Sequence, residues 1–443
     1  MNAKLLLNQK TLCFLIGIMI GIIVSISMLS FSLHTSLIIA GIILLPFLMV
    51  LAMIYKGTFL LFILFSTFGI MNLPLKPFDL LFVVVAVIFF LSKRNKWQAI
   101  RNMRVIHLSL TLFLAISLLS ILSTKNLSLG ISYFINTLFV VSLFYFLAIT
   151  IEKEKEVTAI IWGYIFTVLL SIVAVIAQKM GLIGDIGTWF QGIRAQGFFM
   201  DPNDFSPFLV FAIIYLLNKA FSYHAFSLKY AGFLSLAAVV IGVLLASMSR
   251  AAILDLIIAL LIFFSFSFFY KKKHSQIFVF IGAIAIITVI VFIYAGDEII
   301  QYLTIRFMGS TDVLQDYDQD RFFFQRQGLI MGSTHLLGIG PGQFEYTYGY
   351  ATHNLFVRII AENGWIAFFF MAAMIIYIFT LLIYFAKKEA WNLPVYLFLA
   401  VYTGMIVNSF FLDTLHWRYL WFFMGMCTII INQASREHKN TRK

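Results

Sequence analysis

Apolar runs of about twenty residues recur along nearly the whole chain, separated by short polar breaks. They fall at 11–30, 35–54, 57–71, 77–92, 105–123, 130–150, 157–177, 205–222, 230–247, 249–269, 276–295, 357–386, 392–410 and 416–431. A run of this length crosses a hydrocarbon core of roughly 30 Å as a helix. The runs at 57–71 and 416–431 are short, so the pattern predicts an all-α polytopic membrane protein with twelve to fourteen transmembrane helices. The first, Thr11–Ser30, is too long for a signal-peptide core and lacks a small-residue cleavage site, so it reads as a retained helix. One interval breaks the rhythm: residues 296–364 form a long polar excursion, and that is where chemistry is expected.

Composition agrees with this picture. With 62% hydrophobic residues and a mean hydropathy of +0.98, the chain has too little polar surface to cover a soluble globule. Cys13 and Cys427 both lie in apolar runs, which argues against a disulfide framework and a cysteine-ligated metal. No internal repeat or low-complexity linker divides residues 1–443, so they read as one membrane domain.

The net charge of +12 gains meaning once it is distributed. With the N-terminus cytoplasmic and the spans alternating, 21 of the 31 basic residues and 5 of the 19 acids fall inside. The inner side then carries +16 and the outer side −4, as the positive-inside rule requires. Both termini are therefore expected in the cytoplasm, with external loops at 178–204 and 296–356. The basic excess is an inner-leaflet anchor to membrane lipids and not a nucleic-acid footprint.

Four polar features then lie on the outer side. Arg194 precedes Asp201-Pro202-Asn203, where Asp201 reads as a helix N-cap with proline at the first helical position. Ser247-Met-Ser-Arg250 fills a tight turn between two spans. A cation at a helix N-terminus opposes the macrodipole, whereas an anion bound there is favoured by dipole, N–H groups and guanidinium together. Arg321 and Arg326 lie in the long loop with Arg306, and Arg326 also suits a contact with anionic lipid. His353-Asn354 stands at the mouth of a helix. Glu362 follows Arg358 by four residues, the spacing of a helical surface pair.

Together these motifs resemble the O-antigen ligase and O-antigen polymerase superfamily of bacterial envelope enzymes. The resemblance rests on Arg194 with Pro202-Asn203, the Ser-x-Ser-Arg turn ending at Arg250, and Arg321 with the Gly338–Gly342 turn. His353-Asn354 with Glu362-Asn-Gly364 completes the set, so residues 190–370 carry most of it. A count of fourteen spans departs from the twelve usual in the ligases. The resemblance implies an inverting, metal-independent transfer without cofactor, on a fold of the C type among glycosyltransferases. It implies a donor glycan on undecaprenyl pyrophosphate, a saccharide acceptor, and a site on the outer face of the bacterial cytoplasmic membrane, with room for contacts to other polysaccharide-assembly proteins.

Such chemistry needs fixed positive charge where the pyrophosphate leaving group develops its own. Arginine supplies it with a planar fork matched to phosphate oxygens, which makes Arg194, Arg250 and Arg321 candidates. Asp316, Asp318 and Asp320 read as a solvated run and not as a metal cage. His353, with an ordinary pKa near ~6.5, is the candidate base for the acceptor hydroxyl, and Asp201 and Glu362 are its rivals. On one continuous helix His353 and Glu362 would stand ~13 Å apart along the axis and could not share a hydroxyl. Arg306, Arg326, Asn203 and Asn354 join Asp201 and Glu362 as substrate-binding candidates. Polymerase is the first expectation, ligase the second. A flippase for the same lipid-linked glycan is the rival from another class, disfavoured because the centres of the predicted spans lack charges.

Overall fold

The computed structural model describes residues 57–71, 76–92, 103–283, 285 and 311–440. The runs at 11–30 and 35–54, Cys13 and Arg306 lie outside these. The protein is an all-α polytopic membrane protein, and seven of its described helices are long and apolar enough to cross a membrane.

Residues 1–94 with 153–167 make one compact unit. Its described helices are α1 (Gly57–Ser66), α2 (Pro77–Ser92) and the first half of α5 (Glu154–Lys179). Phe65, Phe68, Phe78 and Tyr164 are buried between them, with Phe68 and Phe78 edge to face at 4.7 Å. The N–H of Gly69 donates to Oγ1 of Thr167 at 3.2 Å, satisfying a backbone group beyond the end of α1.

The second unit comprises residues 95–152 and 168–443. Its helices are α3 (Arg104–Ser120), α4 (Leu127–Thr150), the rest of α5, α6 (Pro202–Phe221), α7 (Leu228–Ala246), α8 (Arg250–Ser265, continued by a π turn to Tyr270) and α9 (His274–Ala283). Then come α10 (Thr311–Thr334), α11 (Gln343–Tyr348), α12 (Leu355–Phe385), α13 (Val395–Asn408) and α14 (Arg418–Asn440). Two short ribbons interrupt them: β1 (Trp189–Phe190) with β2 (Arg194–Ala195), and β3 (Glu389–Ala390) with β4 (Leu393–Pro394).

The helices begin where the sequence offers a capping oxygen. Asn126, Asp201, Ser227 and Asn354 each accept a backbone N–H from the first turn of α4, α6, α7 and α12. α6 is apolar on all sides and nearly all of it is buried, which makes it the centre of this unit.

The expected loop at 296–356 contains more structure than the polar pattern suggested. It holds α10, which packs along α12, and the short α11. Two buried glycines one turn apart, Gly328 and Gly332, give α10 its face toward α12: a side chain there would meet Val357 within 2.6 Å and Ile360 within 2.3 Å.

α12 is bent, and the bend explains two motifs. Gly364 sits at φ 81°, ψ 170°, breaking the helix. The break leaves carbonyls of the preceding turn without their usual donors, and the glycine-rich turn supplies replacements. The N–H of Ile339 donates to Ala361 O and that of Gly340 to Glu362 O, each at 2.9 Å. A side chain at Gly364 would come within 2.2 Å of Leu336 O, and one at Gly338 within 2.4 Å of the Glu362 carbonyl. Both positions have positive φ as well, so glycine is required twice over.

Candidate active site

Arg194, on β2, ties together three segments distant in sequence. Its Nε donates to the carbonyl of Ser247 at 2.9 Å and its Nη2 to Oδ1 of Asn203 at 3.0 Å. Asn203 belongs to the first turn of α6, where Oδ1 of Asp201 accepts its N–H at 2.7 Å. Ser247 opens the turn that ends at Arg250, the first residue of α8. The ribbon is itself fastened to α5 by Trp189, whose indole N–H donates to Val175 O at 3.0 Å.

Arg250 and Arg321 come together from opposite parts of the sequence to border one cleft of about 330 Å³. Ala251, Leu254, Phe322, Phe410 and Phe411 make its walls, with Gln325. Nη2 of Arg321 also donates to Phe411 O at 2.5 Å, fixing the guanidinium at the cleft. Two fixed cations on an apolar surface can receive a ligand that is anionic at one end and hydrocarbon at the other. Arg326, on the same helix, is exposed and does not line the cleft.

His353 occupies the linker before α12 at φ 48°, with its ring edge to Tyr350 at 5.3 Å. Burial, together with the charge of Arg321, pushes its pKa down to about 4, while Asp201 and Glu345 act in the opposite direction. It is therefore a neutral imidazole at physiological pH, able to accept a proton. The next residue, Asn354, has a structural task on both sides. Its Oδ1 accepts from Phe356 N at 2.9 Å and Val357 N at 3.1 Å, and its Nδ2 donates to Phe410 O at 3.0 Å.

Arg250, Arg321 and His353 stand on a segment that resembles a known family. Residues 233–372 match the family model described as O-antigen ligase. The match supports the O-antigen ligase and polymerase superfamily of membrane glycosyltransferases. It spans about a third of the chain and takes in Arg250, Arg321, Arg326, His353, Asn354 and Glu362, leaving Arg194, Asp201 and Asn203 before it. No curated protein matches the chain.

Glu362 is where structure and sequence pattern differ most. The i,i+4 pair with Arg358 forms, at 3.2 Å, but in the interior: the side chains are 6% and 1% exposed. Arg358 also contacts Glu345 at 3.5 Å, ion-pairs with Asp413, and lies over the ring of Tyr133 at 5.1 Å. The Tyr133 hydroxyl donates to Glu345 at 2.5 Å, and the N–H of Phe344 donates to Glu362 at 3.3 Å. The Glu362 carboxylate is thus committed to Arg358 and the start of α11, and His353 lies outside the helix that carries it.

Sequence reasoning named Arg358 only as a surface partner of Glu362 and passed over Glu345, Asp413 and the carbonyls of 409–411. One signal was available for Arg358. It falls inside the apolar run 357–386, and an arginine within a span must find an anion. Which anions it finds depends on the packing of α11, α12 and the 409–417 turn.

Proposed function

We propose that this protein transfers a glycan from an undecaprenyl-pyrophosphate-linked donor to a saccharide acceptor at the outer face of the cytoplasmic membrane, by an inverting, metal-independent reaction. The observation that carries this reading is the cleft in which Arg250 and Arg321 meet apolar walls. The two guanidinium groups hold the pyrophosphate, each charge-assisted bond contributing ~1.5–3 kcal/mol, and the walls take the first part of the isoprenoid chain. Arg194 braces the Arg250 turn and the start of α6 from behind. Asn354 and Phe410 hold the linker that presents His353, which removes the proton from the acceptor hydroxyl as it attacks the anomeric carbon. The bond from that carbon to the pyrophosphate oxygen breaks on the opposite side, and the arginines take up the charge released there.

The low basicity of His353 fits a base that the donor itself readies. Arg321 is one of the groups that depress it, and a pyrophosphate dianion on Arg321 offsets that charge. Donor binding therefore raises the affinity of His353 for a proton when the base is needed.

We assign the protein as a polymerase extending a lipid-linked repeat, with a ligase acting on a lipid A core or another envelope acceptor as the second reading. A strain lacking the gene distinguishes them by what it accumulates. Single lipid-linked repeats support polymerase, and long lipid-linked chains support ligase. Material confined to the cytoplasmic leaflet would sink both and favour a flippase. Purified enzyme should also keep its activity in excess EDTA; a loss reversed by Mg²⁺ would overturn metal independence.

A further inference from the structure

The turn between α13 and α14 presents three successive carbonyls, and each accepts from a group at the candidate site. Ser409 O takes the N–H of Leu355 at 2.9 Å, Phe410 O takes Nδ2 of Asn354 at 3.0 Å, and Phe411 O takes Nη2 of Arg321 at 2.5 Å. Two of these donors are the residues immediately following His353. The third is the arginine across the cleft. Arg321 lies on α10 and His353 in the linker before α12; Phe324 of α10 stacks on Tyr350 of that linker at 4.8 Å, and the turn is a second tie between the two, made at Arg321 itself.

A turn can hold two groups in register only if it is itself held. Its inner closure is a contact between Ser409 Oγ and Thr414 Oγ1 at 2.8 Å. Its outer fastening is Asp413, whose Oδ1 accepts Leu415 N at 3.4 Å and whose Oδ2 pairs with Nη1 of Arg358. Arg358 is in turn immobilised on α12 by Glu362 and covered by Tyr133. Neither Arg358 nor Asp413 lines the cleft.

We propose that Arg358 and Asp413 are a positioning pair: by anchoring the 409–413 turn they set the separation of His353 from Arg321. The proposal rests on the roles given above to those two residues, but its first readout does not. The charged groups facing His353 are Arg321 from α10, Asp201 from the start of α6 and Glu345 from α11. The titration of His353, which burial lowers first and Arg321 second, therefore responds to how the linker is seated against Arg321, whether or not it acts as a base.

The test is ¹⁵N-histidine NMR of the full-length protein in nanodiscs, with the His353 signal assigned by its loss in His353→Gln. The wild type should titrate at about 4. In Asp413→Asn the turn loosens, and the titration should move upward toward the ordinary histidine value. In the same variant kcat on a lipid-linked donor should fall by about 100-fold, with KM changed less. Asp413→Glu, which keeps the charge and lengthens the side chain by one methylene, should recover part of kcat and lie between the two titrations. An Asp413→Asn protein with wild-type titration and kcat within twofold overturns the proposal. Should that variant fail to fold, Asp413→Glu decides alone: a displaced titration supports the pair, and an unmoved one overturns it. Normal turnover by His353→Gln would remove the histidine as base, and the titration shift would still test the pair.

Discussion

Arg250 and Arg321 on one hand and Arg358 on the other are held in different ways. Arg250 and Arg321 border a cleft whose other described lining residues are Gln325 and the aliphatic and aromatic Ala251, Leu254, Phe322, Phe410 and Phe411. Arg358 is 6% exposed and is surrounded by Glu345, Glu362 and Asp413. A buried guanidinium is tolerable only with its charge answered by neighbours, and three carboxylates more than answer it. A guanidinium at a cleft can keep its field directed toward an incoming anion. The residue type is the same; its burial and its place in the fold decide whether it organises the protein or faces a cleft.

The sharpest way to break this contrast is to remove both cleft cations. Arg250→Ala combined with Arg321→Ala should approach complete loss of turnover, since each is expected to contribute ~10–150-fold on the scale of a charge-assisted bond. Single lysine replacements, which keep charge but lose the fork, should retain measurable activity. A double variant with more than a tenth of wild-type turnover would show that the cleft does not hold the pyrophosphate.

Next in size is His353. Replacing it with glutamine should lower kcat by ~10²–10⁴-fold, the range for loss of a general base, with donor binding nearly unchanged. The pH profile carries a sign. A base works deprotonated, so activity should be lost as pH falls through its pKa. In kcat/KM, which reports the free enzyme, that limb should lie near pH 4. In kcat, which reports the donor complex, it should lie higher, because bound pyrophosphate offsets Arg321. Coincident limbs would separate His353 from the donor site.

Stability should reverse the ranking. Arg358→Met leaves three carboxylates without their cation, and loss of one partner of a buried pair costs ~3–5 kcal/mol. The melting temperature should fall accordingly. Arg250→Met, part-exposed at the cleft, should lower it less. Equal melting of the two variants would erase the distinction between a buried and a cleft-facing arginine. The smallest effect belongs to Arg326, which is exposed and away from the cleft; Arg326→Ala should turn over within about twofold of wild type, in line with a neutral surface change.

Much of the local design was legible in the sequence. The apolar run beginning at 205 corresponds to α6, and the Asp201-Pro202 signature marks its start, with Asp201 accepting the N–H of Asn203. The Ser247–Arg250 segment is the turn between α7 and α8, with Met248 at φ 54°. By contrast, α10 was hidden because its residues are polar enough to pass for a loop, and only its packing along α12 shows which face is apolar. Glu362 was misplaced on the surface for a related reason. Spacing of four residues establishes that a pair can form but not on which side of the helix the protein lies.

Membrane spans, caps and glycine turns are written into contiguous stretches because their free energies are sums over neighbours: twenty apolar residues, one capping oxygen, one positive φ. The sequence alone therefore determined an all-α membrane protein and the segments in which its polar residues would gather. The site is made of contacts that contiguity cannot encode. Arg321 reaches Phe411 across 90 positions, Asn354 reaches Phe410 across 56, and Arg358 reaches Asp413 across 55. Only the packing of α10, α12 and α13 brings these together, and it decides which arginine is enclosed by carboxylates and which is turned to the cleft.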